Sequence, residues 1–143
     1  MLATLAGLVL ALAILRLATL RPAAPNGQPR AVIAATAAEL LPEAQRAART
    51  RGLAGQLDVP LVVRFRTPNG EVSPALTFTW TPAALAGVDL RAVEGYQLLD
   101  LAAYAAHSPA GQTAMDDWCH ATVYGAELTP ALCAQAKAAP PPS

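Results

Sequence analysis

Aromatic residues are scarce in this 143-residue chain. Two Trp, three Tyr and two Phe make up 5% of it, although 54% is hydrophobic. Much of the apolar content is alanine, which buries little area per side chain, so the expected core is thin. Net charge is also absent. Ten basic residues balance ten acidic ones, which removes any general attraction to nucleic acid, and no nucleic-acid partner is expected. Glycine-rich phosphate loops of the GxGxxG or GxxxxGK type do not occur. There is no CxxC pair, and only two histidines are present, so neither a clustered zinc site nor a base oriented beside a nucleophile finds its usual residues. Neither a cofactor nor an enzymatic activity is expected.

The strongest positive signal is at the amino terminus. From Leu2 to Leu15 there is no charge, and Thr4 is the one polar side chain; beyond Arg16 the apolar run resumes to Leu20 and stops at Arg21-Pro22. About twenty such residues suit a hydrocarbon core of roughly 30 Å, and Arg16 lies near enough to one end to snorkel. A cleaved signal peptide normally has a basic residue before its apolar run and small residues at the cut; neither stands here. Residues 1–21 are therefore expected to form an uncleaved transmembrane signal-anchor. Residues 22–30, with Pro22, Pro25 and Pro29, read as a proline-rich stalk, and residues 138–143 as a disordered tail.

Two arguments about orientation oppose each other. Arg16, Arg21 and Arg30 would stay in the cytoplasm under the positive-inside rule. Cys119 and Cys133, fourteen apart with no metal-site spacing, suit a disulfide in an oxidising compartment, and one short anchor before one domain suits export. The expectation is a single-pass inner-membrane protein with its soluble domain on the periplasmic side.

Residues 31–137 read as a small α+β domain with one β-hairpin and several short helices. A helix is expected from Ala31 to Arg51, kinked or restarted at Pro42 and closed by Gly52. In Leu61-Val-Val-Arg-Phe-Arg66 and Leu76-Thr-Phe-Thr-Trp-Thr81 the apolar residues alternate with polar ones, the period of two half-buried strands. The Thr67-Pro-Asn-Gly-Glu71 turn joins them into a hairpin, with Pro74 marking an edge or a bulge. Such a hairpin is marginal alone, so its apolar face must cover a helix or a partner. Thr81-Pro82, Ser108-Pro109 and Thr129-Pro130 each pair an N-cap hydroxyl with a first-turn proline and predict helix starts; Asp89 predicts another helix, from Leu90 to about Ala106.

The densest polar cluster is Asp116-Asp117-Trp118-Cys119-His120. Asp116 and His120, four apart on a helix, share a face, and with His107 they are weak candidates for a metal; no metal is expected, because further ligands are lacking. A Cys119–Cys133 bridge would tie two helices together and contribute on the order of 3 kcal/mol. Arg64, Arg66, Phe78 and Trp80 on the hairpin are the candidate interaction surface. The basic residues also gather early: eight stand at or before Arg66 against three acidic ones, and two stand after it against seven. The expected function is that of a membrane-anchored structural or accessory subunit of a bacterial cell-envelope complex, with the membrane and other envelope proteins as partners. The alternatives are a secreted or periplasmic binding module released by cleavage, and a small hydrolase-like or metal-dependent enzyme using Asp116, His120 and His107.

Overall fold

The computed structural model describes residues 30–120 and 125–139. The expected anchor at 1–21, almost all of the stalk and residues 140–143 of the tail lie outside that range. Among the described residues no helix is long and apolar enough to cross a membrane. The chain divides into two units, Met1–Arg30 and Ala31–Ser143, and the second holds the fold described below.

Its architecture is α+β. A four-stranded mixed sheet has the order β1-β2-β3-β4, with β1 (Val32–Ala34) parallel to β2 (Leu61–Arg66), and β3 (Val72–Thr79) antiparallel to both β2 and β4 (Ala103–Ala106). Between β1 and β2 runs α1 (Ala37–Leu53). After β3 come α2 (Pro82–Leu85) and α3 (Gly95–Leu101), and after β4 come α4 (Pro109–His120), α5 (Gly125–Leu128) and α6 (Pro130–Ala138).

Leu40, Leu41, Ala44 and Ala48 give α1 a buried stripe at helical spacing, and it lies against β1 and β2. Pro42 is on the exposed side and does not end the helix. Helix α4 covers β3 and β4 on the same side of the sheet, so Leu61, Val63, Leu76 and Phe78 face helices and are fully buried. The hairpin thus spends its apolar face on this domain's own helices.

The hairpin turn closes as its chemistry demands. Thr67 N–H donates to Glu71 O (2.8 Å), Gly70 N–H donates to Thr67 O (2.9 Å), and Gly70 takes φ +90°. Pro74 marks a bulge: Val63 pairs with Leu76 but Arg64 pairs with Pro74, leaving Ala75 as the extra residue. Strand β3 is internal, so the edge alternative for Pro74 does not apply.

Two strands were not expected from the sequence. The helix expected to begin at Ala31 instead follows β1, where Val32-Ile33-Ala34 pairs with Val63 to Phe65. The helix expected over Leu90–Ala106 forms only from Gly95 to Leu101. Asp89 Oδ1 accepts from Arg91 N–H (3.1 Å) in a local turn, while Glu94 and Gln97 form the capping box that starts α3. Beyond it Ala103-Tyr-Ala-Ala106 is drawn into the sheet by β3, a tertiary pairing that outweighs helix propensity. All three proline-marked helix starts are found: Thr81 Oγ1 accepts from Ala84 N–H (3.1 Å), Ser108 Oγ accepts from Gly111 N–H (3.2 Å), and α6 begins at Pro130. Ala138, expected in the tail, is the last residue of α6.

Candidate functional site

The covered side of the sheet is the core; its other side is the candidate site. Residues alternate across each strand, so Val62, Arg64 and Arg66 of β2 point away from α1, as do Thr77 and Thr79 of β3 and Ala103 and Ala105 of β4. No described element covers this side. Pairing sets its rows: Ile33, Arg64 and Pro74 lie side by side, as do Val62, Thr77 and Ala105. The bulge at Ala75 keeps Pro74 in the arginine row.

His107 continues this face one residue beyond β4. Its N–H donates to Ala75 O (2.8 Å), and its Nε2 lies 2.7 Å from Thr77 Oγ1. Arg64 is half-buried, Arg66 exposed, and among the described residues neither lies in a salt bridge or a side-chain hydrogen bond. Ile33, 41% exposed, and Val72, 38% exposed, flank them. The surface is a mostly small-residue sheet with two cations and two aliphatic groups at one end.

Phe78 and Trp80 do not belong to it, which corrects the expected interaction surface. Phe78 is fully buried, its ring centroid 6.3 Å from that of Tyr104, and Trp80 is buried with its Nε1 donating to Leu98 O (2.7 Å). Their alternation places them on the helix-covered side with Leu76, and an indole N–H that finds a buried carbonyl is a core feature.

The metal candidates are not gathered. His107 is held on the sheet face, whereas His120 Nδ1 lies 2.9 Å from the backbone oxygen of Asp116, and the Asp116 carboxylate accepts from Gln112 Nε2 (3.0 Å). Among the described residues no three His, Cys, Asp or Glu side chains are placed to hold a metal ion.

The disulfide is present. Cys119 of α4 and Cys133 of α6 are joined, with Cα atoms 5.6 Å apart. Beside it Thr129, fully buried, accepts from Trp118 Nε1 (2.8 Å) and donates to Gly125 O (2.7 Å). Its hydroxyl is thereby engaged, and the cap of α6 comes from α3: Asp100 Oδ1 accepts from Ala131 N–H (2.8 Å) and Leu132 N–H (3.0 Å). A carboxylate at the positive end of a helix is a favourable placement.

No protein-family model, curated protein or solved structure matches this chain.

Three further features have no signal in the sequence. The first is a groove of about 430 Å³ on the helical side, walled by Val88, Val93, Leu101 and Leu128 with Asp100 and Glu127 in its lining. The residues that form it stand in α3, α5 and the segment between α2 and α3, and nothing in their spacing brings them together. The second is Arg51, 7% exposed, whose guanidinium donates to Pro60 O (2.9 Å) and ties the end of α1 to the start of β2; burial lowers its pKa from the ordinary arginine value. The third is Gln135, which accepts from Tyr104 N–H (3.1 Å) and donates to Ala102 O (2.8 Å). Its side-chain amide occupies part of the free edge of β4 as a neighbouring strand would, which protects that edge from pairing with another chain.

Proposed function

We propose that this protein is a membrane-anchored structural or accessory subunit of a cell-envelope complex, and that its domain works by protein–protein contact through the open sheet face. The observation that carries the reading is the placement of Arg64 and Arg66, without a carboxylate partner among the described residues, on a sheet face flanked by Ile33 and Val72. A face that mixes guanidinium groups with aliphatic side chains has the chemistry of a protein contact, since arginine is enriched in interfaces and pairs bidentately with carboxylates. The apolar run from Leu2 to Leu20 supports an anchor in the inner membrane, and the Cys119–Cys133 bridge supports a domain on the oxidising, periplasmic side.

The test is extraction of the full chain from membranes with a mild detergent and identification of what co-purifies. A partner that comes with the wild type and is lost with Arg66→Glu supports the reading; a chain that purifies alone and as a monomer overturns it. A released binding module is the second reading, favoured by the groove beside Asp100 and Glu127. Amino-terminal sequencing separates the two, because Met1-Leu2 intact in the membrane fraction eliminates cleavage.

A further inference from the structure

Charge in this domain is sorted by position in the chain and by side of the fold. Six basic residues stand between Arg30 and Arg66 (Arg30, Arg46, Arg49, Arg51, Arg64, Arg66) against three acidic ones (Glu39, Glu43, Asp58), whereas from Thr67 to Ala136 the one cation is Arg91. Of the six, Arg46 pairs with Glu43, Arg49 donates to Val93 O and lies 4.0 Å from Glu94, and Arg51 is buried on carbonyls. Three remain: Arg30, exposed ahead of β1, and Arg64 and Arg66, the cations of the sheet face, two apart on one strand and so about 7 Å from each other.

Two carboxylates line the groove. Asp100 is fixed there by its two bonds to the start of α6, and Glu127 has no hydrogen bond or ion pair among the described residues. Val88, Val93, Leu101 and Leu128 supply apolar walls, with Leu101 36% and Leu128 38% exposed. An arginine suits such a place, because its stem can lie along apolar walls while its guanidinium meets carboxylates. The groove belongs to the helical side: α3 packs on α1, and α1 packs on the inner face of the sheet. The sheet face looks the other way.

We infer that the domain associates head-to-tail with copies of itself, the Arg64 and Arg66 face of one copy seating on the Asp100 and Glu127 groove of the next. Two complementary surfaces on opposite sides of one chain give a heterologous contact, which propagates unless its rotation closes a ring. The inference rests on reading the sheet face as a contact surface and names a second copy as its occupant.

The experiment compares the full wild-type chain with Arg64→Glu/Arg66→Glu and with Glu127→Lys, in a nonionic detergent, by sedimentation at rising protein concentration. Arg66→Glu alone, at an exposed position, replaces the double variant if that one does not retain its disulfide and thermal transition. The wild type is expected to form species larger than a dimer at low salt and to dissociate when salt is raised from about 0.05 M to about 0.5 M. Each variant alone is expected to associate at least about tenfold more weakly. A mixture of the face variant and the groove variant is expected to associate at concentrations where neither variant does alone, with dimer as the first species, because each retains the surface the other lacks. A wild type that stays monomeric at low salt, or a mixture that forms no dimer, overturns the inference. If the wild type is monomeric while Arg66→Glu still loses a co-purifying envelope protein, self-association fails and the contact-surface reading stands.

Discussion

Tyr104 carries a hydroxyl that is buried without a hydrogen-bond partner among the described residues, and Gln112 Oε1 is in the same condition. Burial raises the Tyr104 pKa above its ordinary value of 10.0, and the negative charge of Asp116 raises it further. The folded state therefore disfavours the phenolate, so the stability that neutral Tyr104 allows is complete below the unfolded pKa and is lost as pH rises through the folded one. Tyr104→Phe is expected to leave stability at neutral pH unchanged or raise it by about 1 kcal/mol, since an unpaired buried hydroxyl is removed. The same variant should lose less stability than wild type above about pH 10. Urea denaturation at neutral and alkaline pH checks both, and a loss at neutral pH would show that the hydroxyl is satisfied. Thr129 is the converse case, a buried hydroxyl that accepts from Trp118 and donates to Gly125. Thr129→Val is expected to cost about 1–2 kcal/mol by the same measurement, while Thr129→Ser retains most of the stability.

Among the elements, the ones legible in the sequence are those with a local signal. The hairpin shows in its alternation and in Asn69-Gly70, and the helix starts show in Thr81-Pro82, Ser108-Pro109 and Thr129-Pro130. Strand β4 has no such signal. Ala103-Tyr-Ala-Ala106 reads as helix, and only its pairing with Leu76 to Thr79 makes it a strand. Strand β1, three residues long, is too short to show a period. Because these two strands complete the sheet, the open face is only half legible in the sequence: Arg64 and Arg66 show in the alternation, but Ile33, Ala103, Ala105 and the return of His107 onto Thr77 have no local signal. Close approach was equally hidden. A Cβ on Gly95 would stand 2.2 Å from Gln45 O, and one on Gly111 would stand 2.1 Å from Ala75 O, so α3 and α4 need glycine where they touch α1 and the bulge. The cap of α6 belongs to this scale, because it is lent by another helix. Asp100→Ala is expected to destabilise the domain by about 1–2 kcal/mol, with Asp100→Asn intermediate, as measured by thermal unfolding.

At the scale of the molecule, a core poor in aromatics depends on ties between elements. Arg51 holds α1 to β2, Gln135 holds α6 to β4, and the Cys119–Cys133 bridge holds α4 to α6. Replacing both cysteines by serine is expected to lower stability by about 3 kcal/mol, the chain-entropy value for a loop of this length. Chemical denaturation of the two proteins checks it. A difference close to zero would mean that Thr129 and Trp118 hold the two helices without the bridge.

On the proposed function, a membrane-held domain meets its partner through the face of the sheet that no described element covers. Photo-crosslinking in intact membranes tests it most directly, with the reactive side chain placed at Thr79 on that face or at Thr50, exposed on α1. A discrete crosslinked species is expected from Thr79, abolished by Arg66→Glu, and none from Thr50. Equal crosslinking from both positions, or a Thr79 species indifferent to Arg66→Glu, would contradict it.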